Sequence, residues 1–161
     1  MWPSPASRGN PADSERIGAT FLSGLSLSGA EVRVDLGSPN PMAVLFLTSS
    51  CHGCMPVWSA LRSISGLRNR CGLRSRFGLR NRSGPSQRRR LVAIVPDPAT
   101  ENAGVLRSLT PDWLDVVMSS SAWLEMCPGP APWLIAADGL RITYSGPAPS
   151  SPRKLRRLLR S

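Results

Sequence analysis

The sequence has no run of about 18 apolar residues, the minimum for a membrane-spanning helix, and it contains only one lysine and one histidine. Residues 1–20 are polar and lack the hydrophobic segment of a signal peptide. These absences exclude a transmembrane helix from the sequence as given and predict a soluble, cytoplasmic chain. Residues 1–17 are rich in Pro, Ser, Gly and Asn without periodicity, so we expect a disordered N-terminal segment there.

The net charge of +10 comes from a single segment. Ten arginines and no acidic residue lie between residues 62 and 90, whereas the rest of the chain has ten basic and ten acidic residues. A hexapeptide occurs three times in this segment, at 66–71, 72–77 and 78–83. Six residues match neither a helical stripe nor a heptad, and each copy has a glycine that destabilises a helix. The pattern therefore predicts an exposed, Arg-rich insertion at 66–90.

Clustered guanidinium groups attract phosphates, so the insertion has a possible function of its own. Phe77 is the only aromatic residue in it, however, which leaves no platform on which bases would stack. We therefore expect only weak contact of Arg68–Arg90 with nucleic acid or acidic lipid.

The order of apolar patterns predicts an α/β fold. Alternating apolar residues indicate a β-hairpin at Phe21–Leu36, and a continuous apolar run indicates a buried strand at Ala43–Thr48. Apolar residues spaced from Val57 to Ile64 predict a helix at Cys51–Ser65. The next apolar run predicts a strand at Leu91–Val95, parallel to the buried strand at Ala43–Thr48. After it we expect a helix at Glu101–Leu109 capped by Thr100, a short strand at Asp115–Met118 and a helical turn at Ser121–Met126. The chain then ends with a hairpin of Trp133–Ala137 and Leu140–Tyr144 joined by Asp138-Gly139, and a helix that begins at Ser151-Pro152.

Cys51 and Cys54 lie between the buried strand and the predicted helix. The backbone N–H groups at a helix N-terminus lack intrahelical partners and carry about half a positive charge, which stabilises a nearby anion. A thiolate on Cys51, placed at the first helical residue, is therefore expected to be favoured, with modest help from His52 when it is protonated. Cys54, one turn later, is then positioned to attack a mixed disulfide formed on Cys51.

This arrangement resembles the thioredoxin superfamily, and in particular the bacterial extracytoplasmic or membrane-tethered thiol-disulfide oxidoreductases whose domain begins with a β-hairpin. The resemblance implies a thioredoxin-like fold for residues 18–161, with a central mixed sheet, flanking helices and an N-terminal β-hairpin, interrupted by the Arg-rich insertion. It also implies exchange with protein thiols or disulfides, no bound cofactor and a monomer. The location that it implies is extracytoplasmic or membrane-tethered, if the N-terminus of the sequence is incomplete.

The family also has a cis-proline before its penultimate strand, where the backbone binds an extended substrate. The resemblance carries this role to Pro132, which directly precedes the predicted strand at Trp133, with Ala131 before it. His52 and Gly53, between the cysteines, complete the expected substrate-binding residues. The chain departs from the family where it has no proline between the cysteines and where Ser49 replaces an aromatic residue.

Two other interpretations of the cysteines remain open at this stage. A zinc site would use Cys51, His52, Cys54 and one of Cys71 or Cys127 as ligands. Alternatively, a thioredoxin-like fold keeps the cysteines with little redox turnover and binds polyanions through its Arg-rich insertion.

Overall fold

The computed structural model describes residues 21–37, 39–72 and 89–160, and for residues 65–72 it describes the backbone only. Within these ranges the chain forms seven strands and four helices. The strands are β1 (Phe21–Leu25), β2 (Glu31–Asp35), β3 (Met42–Phe46), β4 (Arg90–Val95), β5 (Asp115–Met118), β6 (Trp133–Asp138) and β7 (Arg141–Pro147), and the helices are α1 (Cys54–Gly72), α2 (Ala103–Leu109), α3 (Ser120–Met126) and α4 (Pro152–Leu158).

The strands form one mixed sheet in the order β2-β1-β5-β4-β3-β6-β7. The strand β3 pairs in parallel with β4 and antiparallel with β6, and all five of its residues are buried. A strand that is covered on both faces has a continuous apolar sequence, as β3 does. The predicted α/β fold, its β-α-β unit and its two antiparallel hairpins, β1–β2 and β6–β7, are confirmed.

The sheet separates two apolar cores, because alternate residues of a strand point to opposite faces. Ala43 and Leu45 belong to the core that contains the buried residues of α1, α2 and α4. Val44 and Phe46 belong to the other core, which α3 covers. The predicted apolar stripe of α1 is buried in the first core; it consists of Val57, Trp58, Leu61 and Ile64.

The helix α1 differs at both ends from the predicted helix at Cys51–Ser65. It begins at Cys54 because residues 51–54 form a turn in which the backbone N–H of Cys54 donates to the carbonyl of Cys51 at 3.0 Å. It continues to Gly72, through the first hexapeptide of the predicted insertion. Extending an existing helix needs no new nucleus, so the cost of about 1 kcal/mol for Gly66 does not end α1 there, and the helix stops at a second glycine, Gly72. Residues 73–88 and the N-terminal segment lie outside the described residues.

Two local predictions are wrong by one or two residues. The cap of α2 is Asn102 and not Thr100, because the Asn102 side chain accepts hydrogen bonds from two backbone N–H groups of the first helical turn. The loop of the second hairpin is Gly139-Leu140 and not Asp138-Gly139, since Asp138 still pairs with the first residue of β7. Gly139 has the left-handed φ of +60° that favours glycine in such a loop.

The last two residues of the predicted insertion are bound to the folded domain, Arg89 just before β4 and Arg90 as its first residue. Arg89 is buried, and its guanidinium donates to Asp138 at 3.1 Å and to Thr143 at 3.0 Å. Arg90 begins β4 and pairs with Asp115 at 2.9 Å. The prediction that residues 66–90 form an exposed insertion is therefore wrong at Arg89, because its charge is neutralised inside the fold.

Candidate active site

The loop that follows β3 is held in place by hydrogen bonds on two sides. The hydroxyl of Thr48 accepts the backbone N–H of Cys51 at 3.1 Å, and the carbonyl of Thr48 accepts the indole N–H of Trp58 at 3.2 Å. Trp58 is completely buried in α1, so this bond ties the loop to the core. Cys51 is consequently fixed at the carboxyl end of β3, half-buried and with part of its surface accessible to solvent.

Cys54 is the first residue of α1 and is fully buried, and both cysteines are free thiols. Burial, followed by the neighbouring Cys51 side chain, raises the pKa of Cys54 to about 12, although hydrogen bonds with Thr48 act in the opposite direction. Cys54 therefore stays protonated at neutral pH. The prediction that Cys51 occupies the first helical residue is wrong, because Cys51 lies three residues before α1 in the preceding turn.

The loop before β6 supplies the opposite wall of the site. The peptide bond between Ala131 and Pro132 is cis, as the resemblance implied. The thiol of Cys51 donates to the carbonyl of Ala131 at 3.7 Å. A Cβ atom on Gly53 would lie 3.2 Å from Cδ of Pro132 and 3.7 Å from Sγ of Cys51, so this close approach suits glycine.

The predicted site residues thus come together at one edge of the sheet. His52 is exposed in the turn between the cysteines. Met55, directly after Cys54, exposes 42% of its surface and was not predicted as a residue of the site. The site accordingly has one accessible thiol, one shielded thiol and an apolar and backbone surface around them.

Cys127 lies away from this site, on the other face of the sheet. It packs against the core that α3 covers, whereas Cys51 and Cys54 belong to the core on the α1 side. Its thiol donates to the carbonyl of Gly129 at 3.0 Å, and burial raises its pKa. The zinc site that included Cys127 is therefore wrong.

The version of the zinc site with Cys71 involves a side chain outside the described ones. Within the part of the chain that the structure describes, no three side chains of His, Cys, Asp or Glu are grouped as metal ligands would be. A separate feature of the same ranges is that no helix is both long and apolar enough to cross a bilayer.

Sequence reasoning also missed a carboxylate behind the site. Glu101 is buried, and its carboxylate accepts hydrogen bonds from the backbone N–H of Ser49, at 3.1 Å, and from the Ser49 hydroxyl. The sequence predicted Glu101 only as the first residue of α2. No local pattern links two residues that are 52 positions apart, so only the fold shows this contact.

No family model and no curated protein matches the sequence. Solved structures do match. A secreted disulfide oxidoreductase of Mycobacterium tuberculosis, homologous to DsbE of E. coli, has a TM-score of 0.57 at 14% identity, over 86% of this chain and 93% of that one. The exposed lipoprotein thioredoxin Etrx1 of Streptococcus pneumoniae has a TM-score of 0.58 at 12% identity, over 86% and 97%.

StoA of Bacillus subtilis has a TM-score of 0.57 at 14% identity, over 86% of this chain and 95% of its own. The chain has a thioredoxin-like fold. At these identities the likeness concerns the fold, and the chemistry has to be argued from the residues themselves. In this thioredoxin-like fold, Cys51 and Cys54 lie near each other at the start of α1, beside a cis-proline loop.

Proposed function

We propose that the protein is a thiol-disulfide oxidoreductase that exchanges electrons with protein thiols or disulfides through Cys51 and Cys54. One observation carries the proposal: a half-exposed thiol, Cys51, lies near a fully buried thiol, Cys54, three residues away. An accessible thiol can react with a partner, whereas a shielded one reacts only with its neighbour. This asymmetry separates an attacking cysteine from a resolving one.

In the reducing direction, the thiolate of Cys51 attacks one sulfur of a substrate disulfide. A bond forms between that sulfur and Cys51, and the other substrate sulfur leaves as a thiolate. Cys54 then loses its proton and attacks Sγ of Cys51, which releases the second substrate sulfur. The substrate gains two electrons and the cysteine pair loses two; the oxidising direction is the reverse of these steps.

The substrate-binding surface that we propose consists of the residues around Cys51. The backbone at Ala131 and Pro132 would bind an extended segment of the partner, with Gly53 leaving room for its close approach. The exposed side chains of His52 and Met55 would contact residues that flank the reacting sulfur. No bound cofactor is needed, since both electrons pass through sulfur.

The alternative, polyanion binding through Arg68–Arg90, is less well supported. Arg89 and Arg90 form ion pairs with Asp138 and Asp115, so their charges are already partnered. The other arginines of this range lie outside the described side chains. This alternative, the monomeric state and the location of the protein stay predictions.

The decisive experiment is alkylation mass spectrometry of the protein equilibrated in glutathione buffers of graded potential. We expect the thiols of Cys51 and Cys54 to disappear together as one disulfide forms between them. The glutathione potential at which half of the protein is oxidised then indicates whether the protein reduces or oxidises its partners. Cys51→Ser is the negative control, and Cys127→Ser should behave like the wild type. If Cys51 and Cys54 stay free thiols in every buffer, the proposed function is wrong, and salt-dependent polyanion binding becomes the hypothesis to test.

A further inference from the structure

Glu101 is the only buried carboxylate among residues 21–37, 39–72 and 89–160. It lies in the segment between β4 and α2, where its own backbone N–H donates to the carbonyl of Asp97 at 3.0 Å. Asn102, the next residue, caps α2 through its side chain. The carboxylate is therefore carried by a firmly held part of the fold.

Both donors of Ser49 are used by this one carboxylate. The backbone N–H and the hydroxyl of Ser49 donate to the same oxygen of Glu101. Hydrogen bonds to an ionised acceptor are about twice as strong as neutral ones, and a pair of them fixes direction as well as distance. Ser49 is thus locked against the segment between β4 and α2.

Ser49 stands in the short connection that carries Cys51. Thr48, directly before it, accepts the backbone N–H of Cys51, so the two residues hold the loop from adjacent positions. The Sγ atom of Cys51 has to reach the Cys54 thiol on one side and the Ala131 carbonyl on the other. A small displacement of the loop would weaken both contacts.

We propose that Glu101 is a positioning residue, which holds Ser49 so that Cys51 is oriented to form a disulfide with Cys54. The carboxylate contacts neither the reacting sulfur atoms nor, in this proposal, the substrate; it acts through the loop. The inference rests on the proposed function, because it concerns the same disulfide. It assigns to a polar pair the place where the resembling family commonly has an aromatic residue.

The reaction that tests the proposal is exchange with glutathione. Two protein thiols and one glutathione disulfide give the Cys51–Cys54 disulfide and two glutathione thiols, so two electrons pass from the protein to glutathione. The equilibrium constant of this reaction reports the effective concentration of one protein thiol at the other. That quantity depends on orientation, and a misplacement of about 1 Å can reduce an oriented reaction about a hundredfold.

The experiment compares this equilibrium constant in the full chain and its variants, with the melting temperature measured in parallel. Glu101→Ala should lower the constant about tenfold, because both Ser49 donors lose their acceptor. Glu101→Gln, which keeps an uncharged acceptor, should lower it about threefold, and Ser49→Ala should do the same. The double variant of Glu101→Ala and Ser49→Ala should be no worse than Glu101→Ala alone, since the two residues act as one unit.

Asp138→Asn is the matched control. It removes a carboxylate that binds a buried donor, Arg89, but at the other end of the sheet. We expect it to lower the melting temperature and to leave the equilibrium constant within about twofold of the wild type.

The outcomes separate the two proposals. If the wild type forms no Cys51–Cys54 disulfide, the proposed function fails and this inference fails with it. If the wild type forms the disulfide while Glu101→Gln and Ser49→Ala keep its equilibrium constant, Glu101 only stabilises the fold and the inference alone is overturned. Should Glu101→Ala not fold, these two milder variants decide the question.

Discussion

A buried or half-exposed carboxylate accepts hydrogen bonds at each end of the central sheet, but the two carboxylates bind different kinds of partner. At the carboxyl end of β3, Glu101 is buried and binds a loop residue, Ser49. At the opposite end, Asp138 is half exposed and binds the buried guanidinium of Arg89, which links β6 to the start of β4. The first contact fixes a loop that carries a reactive side chain, whereas the second fixes the strands themselves.

This difference separates stability from reactivity within one sheet. A contact between strands should affect the free energy of unfolding and leave the chemistry unchanged. A contact that holds the loop of Cys51 should affect both quantities. Measuring disulfide exchange and unfolding in the same variants therefore tests whether the two ends are independent.

The largest effect on disulfide exchange is expected at Cys51, with Cys127 as its comparison. Cys51→Ser should abolish exchange with disulfides, because the accessible thiol is gone and the remaining Cys54 is fully buried. Cys127→Ser should keep the activity, since Cys127 lies on the other face of the sheet. The measurement is the rate of reduction of a disulfide-bonded test protein. A Cys51→Ser variant with more than about a tenth of the wild-type rate would contradict the assignment.

The second effect concerns the pH dependence of Cys54. Burial, followed by the neighbouring Cys51 side chain, raises the pKa of Cys54 to about 12, so its thiolate fraction increases about tenfold per pH unit from neutral pH upward. Alkylation of Cys54 should accelerate about a thousandfold between pH 7 and pH 10 without reaching a plateau. Peptide-resolved mass spectrometry of the reduced protein gives the rate. A plateau near pH 9 would show that Cys54 is not shielded.

The same shift has a consequence for stability. The folded state keeps the Cys54 proton at pH values where the unfolded chain has released it. The free energy of unfolding of the reduced protein should therefore fall as the pH rises from about 9 toward 12. Cys54→Ala, measured alongside, should lack this part of the decrease.

The third effect is on the core beneath the loop. Trp58 is completely buried and donates to the carbonyl of Thr48, so Trp58→Ala should lower the free energy of unfolding by about 3–5 kcal/mol. Trp58→Phe keeps most of the apolar volume and removes the hydrogen bond, and it should cost about 1–2 kcal/mol. Urea denaturation gives both values. If Trp58→Phe leaves the rate of disulfide exchange unchanged, the hydrogen bond to Thr48 does not help to place Cys51.

The fourth effect concerns Arg89, at the end of the sheet where it binds Asp138. Arg89→Met removes the bonds to Asp138 and Thr143 and should cost about 1–2 kcal/mol of unfolding free energy, since the remaining carboxylate is half exposed and can be solvated. Disulfide exchange should stay at the wild-type rate. A changed rate would mean that the two ends of the sheet are coupled.

Much of the fold was predictable because it depends on local periodicity. The continuous apolar run of β3 and the alternation in β1 and β2 each identify a strand without reference to the rest of the chain. Helix limits were less predictable. The start of α1 depends on a turn at Cys51, and its continuation to Gly72 depends on propagation of a helix that the core already stabilises.

The site was predictable only in part, because some of its contacts join residues that are far apart in the sequence. Cys51, Cys54 and Pro132 occupy positions that a motif and a resemblance identify. The contact between Glu101 and Ser49 joins the segments that follow β3 and β4, which are far apart in sequence. Arg89 lies among other arginines in the sequence, so its ion pair with Asp138 could not be predicted from the local pattern. Side chains whose partners are distant in sequence acquire their role only from the fold.

The smallest effect is expected at Gly53, where space and not bonding is at issue. A Cβ atom there would lie 3.2 Å from Cδ of Pro132 and 3.7 Å from Sγ of Cys51, so Gly53→Ala requires a shift of a few tenths of an ångström. Because the turn can yield at modest cost, exchange should slow about threefold while the free energy of unfolding changes by less than about 1 kcal/mol.

Gly29→Ala is the control, since the loop there has open space and its left-handed φ of +86° makes the change costly for stability alone. The two glycines should therefore give opposite patterns: reduced exchange with near-normal stability at Gly53, and reduced stability with normal exchange at Gly29. Identical patterns would show that the two measurements do not distinguish the reactive loop from the rest of the fold.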